Sequence, residues 1–166
     1  MASGSLGQGL SVALGTAETK KLNNDSSIVY SLHGDGELQE GQIWEAAMYA
    51  ASRGIDNIVA TIDYNGRQID GDVEDVMSLG NLNQKWQAFG WEVHEMNGHN
   101  FDSIRDTFNK VSSSLGKGKP IVILMKTEMG QGVDFMMGSH KWHGVAPNEE
   151  QLQTALNQLE ETLGDY

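Results

Sequence analysis

Apolar positions along the chain change period several times, and each change marks an element. Over residues 6–17 they recur as Leu6, Leu10, Ala13, Leu14 and Ala17 with small residues between, which predicts a helix able to approach a neighbouring backbone closely. After the turn cluster Asn23-Asn24-Asp25-Ser26-Ser27, residues 28–32 form a short β-rich run that feeds the glycine stretch GDGELQEG at 34–41. Residues 39–52 then present a broad apolar helix face through Ile43, Trp44, Ala47, Met48, Ala50 and Ala51, closed by Arg53 and a C-terminal Gly54. The continuous apolar run 58–62, IVATI, predicts a strand buried on both faces.

The same order repeats downstream, with helices predicted over 79–89 and 102–115 and strands over 91–96 and 121–125. Strand and helix alternating in this way predict an α/β fold, an open parallel sheet with helices on both faces and right-handed crossovers. A polar loop rich in glycine and methionine follows from 128 to 146, in which Phe135-Met136-Met137 reads as packing. Asn148 then predicts a helix N-cap, with Leu152, Leu156, Leu159 and Leu163 on one stripe beyond it. Neither a repeat nor a linker divides the sequence, so a single domain over 1–166 is expected.

Charge narrows the function classes. The 166 residues hold 23 acidic against 11 basic side chains, a net charge of −12, which repels nucleic-acid phosphates and anionic lipid and makes neither a partner. Any anionic ligand needs a cation between itself and this protein. The absence of cysteine removes disulfides, thiolate nucleophiles and zinc–sulfur sites. Without a basic region followed by an apolar run, or a stretch long enough to cross a bilayer, the cytoplasm is the expected location.

Chemistry concentrates where two strands end. Asp35 lies just beyond the first predicted strand and Asn65 just beyond the next, within one strand-helix-strand unit, and ligands of open α/β sheets sit outside the carboxyl ends of strands. A carboxylate, an amide oxygen and a backbone carbonyl after Asn65 are hard ligands suited to Mg²⁺ or Ca²⁺, too few for a shell of about six without phosphate oxygens and water. Gly36 offers a backbone amide with no side chain in the way, and the helix that follows turns its N-terminal end to the same place. Read from residues alone, the alternative stays open that Asp35 caps a helix and Asn65-Gly66 is an ordinary turn.

These residues carry a family resemblance. GDG followed by Asn65, with GRQIDG over 66–71, resembles the thiamine-diphosphate signature, and SLGQGLSVALG, GDGELQEGQIWEAA and KWHGVAPNEEQL resemble transketolase in particular, above all the N-terminal subunit of split transketolases. The likeness runs through nearly the whole chain in family order. It implies that Asp35, the side chain of Asn65 and the backbone carbonyl of Arg67 bind Mg²⁺ or Ca²⁺, and that Gly36 touches the diphosphate. Gly4 and Leu6 match positions lining the thiamine part of the cofactor. His143 matches the histidine that reaches the diphosphate and the substrate's reacting oxygen, a catalytic role, and Glu40 matches a carboxylate near the subunit interface. Outside the resemblance, His143 reads as a loop histidine and Glu40 as a first-turn helix acid. His33 reads as structural, His140 has no assigned role, and Glu37 is left unassigned.

The resemblance also implies what must come from elsewhere. Transketolases carry a histidine-bearing segment before GSLGQG and a pyrimidine-binding domain downstream, whose glutamate contacts the aminopyrimidine ring. The expectation is therefore a diphosphate half-site, inactive without a pyrimidine-domain partner or C-terminal transketolase subunit, in a homo- or hetero-oligomer such as a dimer. Together they would move a two-carbon ketol unit between sugar phosphates. A non-catalytic cofactor-binding or assembly module, and another thiamine-diphosphate enzyme such as deoxyxylulose-phosphate synthase, are the alternatives. Sheet surface left uncovered by the missing segment is expected to be apolar.

Overall fold

The computed structural model describes residues 4–159. In chain order they form α1 (Gln8–Leu22), β1 (Val29–Gly34), a 3-10 turn (Gly36–Gln39), α2 (Gly41–Arg53), β2 (Ile58–Tyr64), the two-residue strands β3 (Arg67–Gln68) and β4 (Gly71–Asp72), and α3 (Val73–Met77). There follow α4 (Leu82–Ala88), β5 (Glu92–Asn97), α5 (Phe101–Ser114), β6 (Ile121–Lys126), a second 3-10 turn (His140–Trp142) and α6 (Glu149–Gln158).

Four strands pair in the order β1-β2-β6-β5, every pair parallel, as the alternating pattern predicts. The two central strands are apolar because both faces are covered. Their side chains alternate: Ile58, Ala60, Ile62, Val122 and Leu124 join the helical layer of Leu10, Leu14, Ile43 and Trp86, while Val59, Ile121 and Ile123 join Val111 of α5 and Met96. The chain is thus an α/β sheet with helices on both faces.

Indole N–H groups anchor the layers. Trp91 donates its indole N–H to the carbonyl of Ala47, 3.0 Å away, and Trp44 donates to the carbonyl of Leu38 at 2.8 Å, tying α2 back onto the turn before it. Trp44, Trp86, Phe89 and Trp91 stack in a chain of ring contacts beneath the sheet, centroids 4.9 to 5.1 Å apart.

Several boundaries differ from those the pattern predicts. The first helix starts at Gln8 and runs to Leu22, because Gly7 takes the left-handed conformation (φ 74°) and Leu6 stays outside. The predicted helix over 79–89 is shorter, with Asn81 as its N-cap accepting from the Gln84 amide, and an unforeseen α3 precedes it. α2 ends at the left-handed Gly54, as the cap signal indicates. Asn148 caps α6 in a reciprocal capping box with Gln151. The leucine stripe is not a core face, however. Leu152, Leu156 and Leu159 are exposed, and the buried position of α6 is Ala155. Leu163 lies outside the described residues. At the edge strand β1, Tyr30 and Leu32 are exposed. No helix among the described residues is long and apolar enough to cross a membrane.

Candidate cofactor site

The site grows from two turns at the carboxyl ends of β1 and β2. β1 finishes at Gly34, and Asp35 opens the 3-10 turn with its carboxylate Oδ1 accepting from the Gly36 amide at 2.8 Å. Its other oxygen, Oδ2, accepts from the Gly66 amide at 2.6 Å, so one carboxylate joins the GDG turn to the Asn65-Gly66 turn 31 residues on. Both readings of Asp35 meet here: it caps a short 3-10 turn, and it stands where two strand ends converge. The N-terminus beside it belongs to that turn and not to α2, which begins only at Gly41 after Glu40.

Asp35 is 1 % exposed, and burial pushes its carboxyl above the usual carboxylate range. The amides of Gly66 and Gly36 pull in the opposite direction, and the nearby Asp63 carboxylate pushes further up. The net result is a buried acid to which no cationic side chain among the described residues is bonded, an arrangement that a divalent cation would relieve.

Asn65 is oriented at both ends. Its Nδ2 donates to Asp63 Oδ2 at 3.1 Å and its Oδ1 accepts from the Arg67 amide at 2.8 Å. Asp63 is itself held by the hydroxyl of Thr127, which donates to Oδ1 from the end of β6. Arg67 begins the β3-β4 hairpin, and its guanidinium pairs with Asp72 across that hairpin. Sequence reasoning missed Asp63; an acid two residues before the candidate ligand was the available signal.

A cavity of about 1160 Å³ opens over these turns. Asp35, Gly36, Asn65 and Arg67 line it, and so do the remaining candidates: Gly4 and Leu6 from the segment before α1, Glu40 from the start of α2, and His143 from the loop after β6. Every residue that the family resemblance matches to cofactor, metal, catalysis or interface therefore borders one space. Leu6, Glu40 and His143 are exposed. His140 sits in the 3-10 turn before His143, and Phe135 packs edge-on against Trp142 at 5.3 Å, consistent with a packing role.

The lining fits a metal-held diphosphate. A Cβ built on Gly36 would stand 2.9 Å from Gln68 Cβ, so the turn packs against the β3-β4 hairpin with room for glycine alone. The Gln68 Oε1 is buried without a hydrogen-bond partner among the described residues, another oxygen at the same place. No group of three or more His, Cys, Asp or Glu able to hold a metal occurs among the described residues, so a cation here would need oxygens from the ligand it helps to bind.

Two buried side chains behind the turn complete the geometry. Glu37 Oε1 accepts from the Gly7 amide at 2.9 Å and Oε2 from the Gly34 amide at 3.3 Å. His33 Nδ1 lies 3.5 Å from Oε2, and burial holds this imidazole below its ordinary pKa. Its ring packs beneath Gly9, where a Cβ would come within 3.3 Å of Cε1, which agrees with a structural role.

Known proteins match this architecture. The transketolase thiamine diphosphate binding domain family matches residues 1–163. The chain is 41% identical to a 6-deoxy-6-sulfo-D-fructose transketolase subunit of Clostridium sp. (strain MSTE9), over 96% of this chain and 58% of that protein. It is 42% identical to an apulose-4-phosphate transketolase subunit of Phocaeicola vulgatus, over 96% of this chain and 56% of that protein. It thus spans little more than half the length of these relatives. Transketolase of Campylobacter jejuni superposes with a TM-score of 0.85 at 35% identity, covering 95% of this chain and 26% of that one. Fold, strand-end turns and matches through nearly the whole chain agree, and the protein belongs to the transketolase thiamine diphosphate binding domain family.

Proposed function

We propose that this chain, as a single domain, supplies the diphosphate-binding half of a transketolase-type site, with Mg²⁺ or Ca²⁺ between protein and cofactor. The observation that carries the reading is the Asp35 carboxylate, buried and shared between the Gly36 and Gly66 amides at the convergence of two strand ends. In this reading Asp35, Asn65 Oδ1 and the Arg67 carbonyl hold the cation, and the Gly36 amide meets the diphosphate. Gly4 and Leu6 flank the thiamine portion. When bound, the cofactor supplies the carbanion chemistry of ketol transfer, and the protein supplies position and electrostatics. Binding of the cation exchanges the unfavourable burial of Asp35 for an ion pair and turns the net repulsion of an acidic chain into attraction for a diphosphate.

His143 is the candidate to exchange a proton with a substrate oxygen or to donate a hydrogen bond to a developing alkoxide, a reading supported by its exposure on the cavity wall. Glu40, exposed at the start of α2, is the candidate for contact with a neighbouring subunit. The relatives are named as transketolase subunits, which supports a partner bearing the pyrimidine-binding domain, and the assembled enzyme would act on sugar phosphates or related ketoses. The lone chain is then inactive.

Titration of the purified chain with thiamine diphosphate, read by tryptophan fluorescence because Trp142 adjoins His143, tests this. Saturable binding with Mg²⁺, lost on chelation and in Asp35→Ala, is expected. Binding that ignores both the metal and the substitution overturns the assignment.

A further inference from the structure

Glu37 is a buried carboxylate, 7 % exposed, that the metal and diphosphate chemistry does not use. It sits on the 3-10 turn, yet its best hydrogen bond goes to Gly7, thirty residues earlier, at 2.9 Å. Helix α1 explains the demand. Its N-cap is Gly7, which has no side chain to cap with, and its first turn contains no acid. The free amide at that end is buried and must find an acceptor. Glu37 provides one together with a negative charge at the positive end of the helix.

The second oxygen of Glu37 accepts from Gly34, the last residue of β1 and the neighbour of Asp35. One carboxylate therefore straps the segment that carries Gly4 and Leu6 to the strand end that precedes Asp35. The close approach of the two segments confirms how tight this junction is: a Cβ on Gly7 would stand 2.7 Å from Glu40 Cβ. Segment and turn form adjoining walls of the same cavity.

We propose that Glu37 is a positioning residue for the cofactor, setting the distance between the wall that flanks its thiamine portion and the turn that holds its diphosphate. The proposal rests on the cofactor reading above. It predicts that Glu37 affects the thiamine end and leaves the diphosphate end alone. Glu37→Gln keeps the size of the side chain but aims an N–H₂ group at one of the two amide donors, so one strap is lost.

The test is calorimetry of the full chain and of Glu37→Gln and Glu37→Ala with Mg²⁺ plus either inorganic pyrophosphate or thiamine diphosphate, alongside amide hydrogen exchange at Gly7. The expected result is at least a tenfold loss of thiamine diphosphate affinity in Glu37→Gln and more in Glu37→Ala. Pyrophosphate affinity stays within twofold of the parent, and Gly7 exchange becomes faster in both variants. Equal losses for the two ligands would mean a general structural defect and overturn the proposal, as would unchanged thiamine diphosphate affinity or unchanged protection of Gly7. Failure of the parent chain to bind either ligand would instead strike at the cofactor reading, and the proposal falls with it.

Discussion

Asp35 Oδ2 and the amide of Gly66 lie 2.6 Å apart, and through them two turns from separate strand ends become one unit. The bond explains why an acid in a glycine turn survives burial. It replaces part of the water the carboxylate gives up, while no cationic side chain among the described residues neutralises the charge.

Removing this acid should separate stability from binding. Asp35→Ala leaves the half-buried amides of Gly36 and Gly66 without their acceptor, at a cost on the order of 1–3 kcal/mol. Asp35→Asn keeps one acceptor oxygen, sheds the buried charge and turns its N–H₂ toward the other amide, and is expected to cost less stability than Asp35→Ala in urea unfolding. Both should lose Mg²⁺-dependent thiamine diphosphate binding by calorimetry. Retained binding in Asp35→Asn would remove the charge from the account.

Glycines of this chain should divide by place. Gly7→Ala must adopt φ 74° and puts its Cβ 2.7 Å from that of Glu40, so a loss of at least about 2 kcal/mol is expected in denaturant unfolding. Gly15, in the middle of α1 with nothing within 4 Å of an added Cβ, should gain about 0.5–1 kcal/mol on substitution by Ala. A comparable response at both positions would contradict the close approach at Gly7.

Away from the site, Asp56 gives a pH signature. Burial would raise its carboxyl, but Lys21 Nζ at 2.6 Å and the Gly118 amide at 2.8 Å outweigh that and hold it below the usual range. A depressed folded pKa adds stability above the unfolded pKa of about 4, and the addition is lost as pH falls through the folded value. Asp56→Asn should therefore cost about 1 kcal/mol at pH 7, discounted for its partial exposure, and progressively less below about pH 4. A gap independent of pH would show that charge is not its source.

His143 should matter for turnover and not for folding. It is exposed and ends a short 3-10 turn, so His143→Ala is expected to leave the unfolding midpoint within about 0.5 kcal/mol of the parent. In an assembly reconstituted with a pyrimidine-domain partner, ketol transfer should drop by about 10²–10⁴. Undiminished turnover would exclude the proton-transfer role.

Period and punctuation along the chain were enough to place the four strands of the parallel sheet, though not the short β3-β4 hairpin. The apolar runs of β2 and β6 have one interpretation once helices alternate with them, because only a strand covered on both faces is apolar at successive positions. Asp35 and Asn65 were legible for the same reason, since parallel strands joined by a helix end on the same edge of the sheet. The thiamine-diphosphate signature then gave that edge its chemistry. What only the folded chain decided are contacts distant in sequence: the Gly66 amide on Asp35, the Thr127 hydroxyl behind Asp63, and Glu37 reaching Gly7. Burial also escaped the local pattern at α6, where a leucine stripe faces outward and Ala155 packs inward. A helix's amphipathic face reports that a partner is favourable, whereas which surface covers it depends on elements far along the chain. Hydrogen-bond demand is likewise settled by the fold: the apolar pattern begins the first helix at Leu6, whereas the folded chain begins it after Gly7, and the carboxylate that accepts from the Gly7 amide is found only when the turn packs against it.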